Sequence, residues 1–265
     1  MLYFWASSPV YNSLVFMKAK KYILLFICLI SLMLSNAQSV KDSSFRIIMT
    51  GVHFCGQLPQ NNMAERFGPN LSAGVDLFWK TKHNFLFGIE GSYFWSKNVR
   101  EDVVASMKNS DGFITDNEGY PADLRTTERG WNFDAKVGMI IPKTGHNPNS
   151  GIFFTIGVGY MQHKVKLYDA NQKIAAIKGD LAKGYDRLSG GFAVTYFIGY
   201  QYLSSNRIAN FSFGVEMYQG FTQSFRGFNY DTGLKDTQKR SDVLVGLRFT
   251  WLLPLYKRAK DFYYY

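Results

Sequence analysis

The sequence predicts an all-β protein, an eight-stranded antiparallel up-and-down transmembrane β-barrel behind a cleaved leader. Three observations predict it. Bulky apolar residues recur at every second position through eight segments, which is the period of a strand. The opposite face of each segment is small or charged, and that suits a filled barrel interior better than a solvated surface. The connections alternate long and short, so all the short turns fall at one end, the rhythm of outer-membrane barrels. Composition agrees, since 17% of the 265 residues are aromatic while mean hydropathy stays slightly negative. Past the leader no run of 18 apolar residues exists, so no transmembrane helix is expected.

The leader is residues 1–37. Lys18, Lys20 and Lys21 form its basic region, Tyr22 to Leu34 its apolar region, and Ser35-Asn36-Ala37 a small-x-small cleavage site that makes Gln38 the mature start. Met17 is the expected initiator, and residues 1–16 read as an upstream mis-start. Cys28 is preceded by Ile27, where a lipidation signal needs a small residue, so an exported, non-lipidated chain is expected. Removing residues 1–37 removes three Lys and no acid, so the net charge of +10 becomes +7. A basic surface suits lipid phosphates or an acidic protein partner, and an exported chain is not expected to meet nucleic acid. Cys55 alone remains, which leaves no internal disulfide; it reads as a small buried apolar residue.

Residues 38–253 are the expected barrel. Strand one, Ser44 to Phe54, sets Phe45, Ile47 and Met49 outward against Arg46, Ile48 and Thr50. A polar loop containing two Pro follows, Gly56 to Pro69. Strand two, Asn70 to Lys80, sets Leu71, Ala73, Val75, Leu77 and Trp79 against Ser72, Gly74, Asp76 and Phe78. After a tight turn, strand three, Asn84 to Trp95, sets Phe85, Phe87, Ile89, Tyr93 and Trp95 against Leu86, Gly88, Glu90 and Ser92. Ser96 to Arg129 is a long polar stretch. Strand four, Gly130 to Ile141, alternates Trp131, Phe133, Ala135, Val137 and Met139 with Asn132, Asp134, Lys136 and Gly138; Pro142 to Ser150 then turns the chain. Strand five is Gly151 to His163, and Lys164 to Asp186 is an excursion whose segment Gln172 to Lys183 fits either a short helix or a strand extension. Strands six and seven, Arg187 to Leu203 and Ile208 to Thr222, flank the turn Ser204-Ser205-Asn206. Gln223 to Ser241 leads into strand eight, where Val243, Val245, Leu247, Phe249, Trp251 and Leu253 oppose Leu244, Gly246, Arg248, Thr250 and Leu252. No Pro lies inside these strands, and Pro254 is expected to stop the last one. A soluble sandwich or lipocalin-like barrel would turn the aromatic face inward. The Gly, Ser, Thr and Ala of the other face, and the Trp or Tyr closing each apolar face (Trp79, Trp95, Trp131, Tyr160, Tyr200, Tyr202, Trp251), argue against that.

Alternation sends Arg46, Asp76, Glu90, Asp134, Lys136, Glu216 and Arg248 into the lumen. An eight-stranded barrel is only wide enough for its side chains, and charges shut in there must pair. An ionic network plugging the lumen is therefore expected rather than a conducting pore. The four His are scattered: His83 and His146 in short turns, His53 and His163 near the long-loop ends of strands one and five. None sits in a motif with a nucleophile, and no metal spacing or phosphate-binding loop is present. No enzyme activity, catalytic residue, metal or cofactor is expected.

The stretches Gly184-Tyr185-Asp186-Arg187-Leu188, Phe197 to Arg207, Gln219 to Ser224, Phe228-Asn229-Tyr230-Asp231-Thr232-Gly233 and Trp251 to Arg258 resemble the PorG-like barrels of the Bacteroidota type IX secretion system. The resemblance covers roughly residues 184–258; residues 57–183 carry none. It implies a non-enzymatic secretion component of the cell outer membrane, in contact with the lipid bilayer and lipopolysaccharide. It further implies an anchor for a periplasmic ring of the PorK lipoprotein and PorN, in a system that exports adhesins in gliding members. Residues 254–265 would be a periplasmic tail, in which Tyr256, Lys257, Arg258, Lys260, Phe262, Tyr263, Tyr264 and Tyr265 offer the aromatic and basic character favoured at interfaces. Two alternatives remain: a stand-alone surface barrel whose loops, Ser96 to Arg129 above all, bind ligands or cells, and a lipid-modifying barrel enzyme.

Overall fold

The computed structural model describes residues 43–169, 171, 173–204 and 210–255; the expected leader and most of the expected tail lie outside them. Its strands are β1 (Ile47–Asn61), β2 (Asn70–Lys80), β3 (Phe85–Ser96), β4 (Leu124–Ile141), β5 (Gly151–Asp169), β6 (Ser189–Tyr202), β7 (Phe211–Ser224) and β8 (Lys239–Leu255). Each pairs antiparallel with its neighbour in sequence, and the ring closes into a barrel. Closure satisfies the backbone without leaving a sheet edge.

The wall is inside out relative to a soluble protein. Phe87, Phe133 and Phe249 are 44%, 51% and 47% exposed, while Glu90, Lys136 and Arg248 are 1%, 2% and 4% exposed. So much contiguous exposed apolar surface is stable only against hydrocarbon. Trp79 and Trp251 lie on the outside toward the short turns, and Tyr93 and Trp131 lie toward the long loops, one girdle for each headgroup zone.

The turns follow their residues. Between β2 and β3, Thr81 N–H donates to Phe85 O at 2.9 Å, and Asn84 takes φ +63°, a left-handed conformation that Asn tolerates. Inside, glycine seats the rings: a Cβ at Gly130 would lie 2.2 Å from Cζ of Phe94. The short helix α1 (Asn62–Arg66) tucks Met63 into the long-loop end of the barrel. There Met63, Phe67, Phe94, Val103, Met161 and Leu244 belong to a buried apolar cluster that draws on strands and loops alike.

Four expectations are corrected. The inner residues of β1 are Ile47, Met49, His53, Cys55 and Gln57, and the outer ones Ile48, Val52, Phe54 and Leu58, so the predicted faces are exchanged and Arg46 is exposed. β1 continues through Pro59 to Asn61, where a loop was expected; its ladder to β2 stops at Gln57↔Asn70, so Pro59 removes no bond from that ladder. For the same reason Pro254 does not end β8, which runs to Leu255, beyond the last β7 pair at Phe211↔Trp251. β4 and β5 extend together to Leu124↔Asp169, past the expected ends at Gly130 and His163. The undecided segment after β5 holds two 3₁₀ turns, Ala175–Ile177 and Gly179–Gly184.

Candidate functional site

The candidate site is the lumen, built from inward positions of the strands. Arg248 of β8 is its hub. One guanidinium nitrogen, Nη2, donates to Asp76 Oδ1 at 2.6 Å; the other, Nη1, donates to Glu90 Oε2 at 2.7 Å and also to Glu216. Nε donates to Thr250 Oγ1 at 3.1 Å. Lys136 Nζ bonds the same two glutamates, at 2.7 Å to Glu90 and 3.0 Å to Glu216. Tyr218 donates its hydroxyl to Glu90 Oε1 at 2.6 Å. The fork of Arg248 spans three carboxylates from three strands, a geometry that an ammonium cannot match.

Of the seven predicted lumen charges, five meet directly: Asp76, Glu90, Lys136, Glu216 and Arg248. Asp134 is buried beside them and accepts from Asn132 Nδ2 at 3.2 Å. Arg46 does not join them, because β1 has the opposite phase. His53 takes the β1 place instead, with Nδ1 3.2 Å from Asp76 Oδ2 and 3.1 Å from Nη2 of Arg248. It sits mid-lumen rather than near the strand end. Reading the strand's phase from Val52, Phe54 and Leu58, which flank and follow it, would have found it.

Toward the short turns the network rests on Phe78, Leu86, Phe153, Phe197 and Leu252, with a cavity of about 20 Å³ among them. That is about one water's worth of space. Below this, Lys80 donates to Asn149 Oδ1 at 2.8 Å and Ser44 Oγ at 3.1 Å, closing the floor. Toward the long loops a second polar centre missed by the sequence reading lies within the apolar cap. Asp242 accepts from Arg66 of α1 at 2.7 Å, from His163 Nε2 at 2.9 Å and from Thr222 Oγ1. Asp242 was legible, standing six residues before Arg248 on the same inner face; Arg66, on a helix of one turn, was not.

This arrangement settles what the lumen can do. Its two cations, Arg248 and Lys136, bond Asp76, Glu90 and Glu216 within the chain, as charges shut into so narrow a space must. His53, Asp76 and Glu90 have ligand atoms within 4.8 Å of one another, but Arg248 already bonds both carboxylates, so a metal cation there would meet a fixed positive charge. His163 and Thr222 resemble a base with its nucleophile, yet both point at Asp242, so the imidazole does not activate the hydroxyl. His83 and His146 are exposed in short turns, as expected.

Above the cap the loops lock to one another. Arg187 donates to Glu101 Oε1 at 2.7 Å and to both oxygens of Asp231, and Arg226 forks onto Asp186. Tyr230 N–H donates to Gly184 O at 3.0 Å, and its ring meets that of Tyr185 edge-on at 5.5 Å. Burial pulls the Arg187 pKa down, but its bonds to Asp231 and Glu101 outweigh that and leave it raised. The stretches 184–188 and 228–233, both singled out in the sequence, therefore form one clamp.

Solved structures with similar folds include Neisserial surface protein A (9% identity, TM-score 0.41, covering 78% of this chain and 96% of that one). Another is Ail, the attachment invasion locus protein of Yersinia pestis, in complex with the heparin analogue sucrose octasulfate (9%, 0.37, 78% and 99%). A third is the N-terminal β-barrel domain of Pseudomonas aeruginosa OprF (8%, 0.32, 77% and 97%). No protein-family model and no curated protein matches the chain. At these identities and scores the assignment rests on the chain's own strand ladder and wall. A closed antiparallel ring with an apolar outer band, short turns at one end and long loops at the other is an outer-membrane β-barrel, and the outer membrane is where this protein resides.

Proposed function

We propose that the chain is a non-enzymatic outer-membrane component of type IX protein secretion, a PorG-like barrel that anchors a periplasmic PorK–PorN-type ring. The observation that carries an anchoring role is the filled lumen: a barrel sealed by Arg248 and Lys136 acts through its surfaces, not through a passage. The resemblance over residues 184–258 supports the finer reading, and two of its stretches are the ones that clamp together above the cap. With the long loops outside, the short turns face the periplasm, the side on which the sequence reading expects the tail. The docking residues named above, Tyr256 to Tyr265, lie beyond the described strand end.

Deleting residues 257–265 should release the ring from the outer-membrane fraction while the barrel keeps its folded, heat-modifiable mobility. Undiminished co-purification of ring subunits with the truncated barrel would sink the docking idea. A second reading is a stand-alone surface barrel whose loops bind ligands or cells. The exposed Phe113, Tyr120, Phe228 and Tyr230 of the loops favour it. A detergent pull-down of the full chain with mass spectrometry separates the two, since ring subunits support the first and a free monomer the second.

A further inference from the structure

Where β4 and β5 rise beyond the aromatic girdle, they carry an unusual outer face. Arg129 lies directly opposite Lys164, and Lys166 lies opposite Thr127, two residues further along. Lys97, the first residue after β3, joins them, next to the point where Trp95 pairs with Arg129. Like charges directly across a ladder destabilise it, so an all-basic set calls for an anion. Arg125, at the edge of the set, has one: it forks onto Asp123 at 2.7 and 3.0 Å. Lys97, Arg129, Lys164 and Lys166 make no ion pair among the described residues, and Arg129 donates only to the backbone oxygen of Glu128, at 3.2 Å. Two hollows of about 560 and 390 Å³ lie over this face and share Arg129 and Lys166. Directly below come Trp131 and Tyr160, rings 5.4 Å apart, and then the apolar wall at Phe133 and Val158.

We propose that this face is a binding site for a phosphorylated lipid of the outer leaflet. The acyl chains lie on Phe133 and Val158, the sugar or glycerol region meets the Trp131–Tyr160 pair, and the phosphates are held by Lys97, Arg129, Lys164 and Lys166. The order apolar, aromatic, cationic along the strand matches the order of such a lipid from bilayer centre to surface. The site depends on the outer-membrane placement and is independent of ring anchoring, so either proposal can fail alone.

The test uses the full chain in detergent micelles, titrated with bisphosphorylated lipid A and read by native mass spectrometry. The combined variant Lys97→Gln, Arg129→Gln, Lys164→Gln, Lys166→Gln should bind about 100-fold more weakly, because each basic residue near an anionic surface contributes to attraction. Lys82→Gln with Lys143→Gln, at the opposite end, should bind as the parent does. If the fourfold variant fails to fold, Lys164→Gln with Lys166→Gln is read instead, with a loss of about tenfold. Unchanged affinity in the variants, or equal binding of fully dephosphorylated lipid A, overturns the proposal. So does displacement of the lipid by equimolar inorganic pyrophosphate, which would mark a site for free anions.

Discussion

Arg248 shows how one side chain decides what the interior is. Its fork bridges Asp76, Glu90 and Glu216, contributed by β2, β3 and β7. Lys136 reaches only the two glutamates. Arg248→Met would therefore leave Asp76 without a cationic partner among these groups and the glutamates with one cation between them. Removing one member of a buried ionic cluster costs about 3–5 kcal/mol. Urea unfolding of the barrel in lipid vesicles should show a loss of that order, and Arg248→Lys should fall between, because an ammonium restores charge without the fork. A midpoint unchanged in Arg248→Met would mean that the network contributes nothing to stability.

At the scale of the strand, seven of the eight segments announced their inner and outer faces, because bulky residues crowd one side and small or charged ones the other. β1 did not, for a physical reason. Ile47 and Met49 are apolar but inward, beside the floor built by Lys80 and Asn149, while Arg46 stands at the end of the strand where a charge reaches the headgroup zone. Reading phase from that end inverts the whole strand. Phase read from Val52, Phe54 and Leu58 comes out right and brings His53 inward. The extensions of β4 and β5 were illegible because they leave the bilayer and lose the apolar face that marks a strand, although Val165 still points inward. The Arg66–Asp242 contact joins residues 176 apart through a one-turn helix, and no local pattern announces it. The observed phase makes a prediction opposite to that of the inverted one. Val52→Lys, midway along the β1–β2 ladder, places an amine against hydrocarbon and should destabilise the barrel by about 2–4 kcal/mol. Arg46→Ala should be nearly silent. Vesicle unfolding of the two variants checks this, and the reverse order of effects would restore Arg46 to the lumen.

For the whole barrel, what matters is that two seals lie in series along one axis. The inner seal is the Arg248–Lys136 network with the aromatic layer and the Lys80–Asn149 floor beneath it. The outer seal is the apolar cap, into which α1 brings Met63 and Phe67 and which Arg66 fastens to Asp242. Resistances in series add, so either seal alone stops ions. The wild-type protein in a planar bilayer should then show no current steps. Combining Arg248→Ala with Lys136→Ala would remove the network but leave the aromatic layer, the floor and the cap, and the bilayer should stay silent. Arg66→Ala would loosen the cap but leave the network intact, and silence is again expected. Steps should appear only when the layer and floor are cut back too, with Phe197→Ala and Lys80→Ala added to these three substitutions, provided the combined variant still shows a folded barrel's gel mobility. Steps from the wild-type protein would instead mean that the side chains part under voltage, and a sealed anchor would then be the wrong description of the molecule. Steps from the Arg248→Ala, Lys136→Ala pair alone would assign the seal to the network and reduce the cap to a covering.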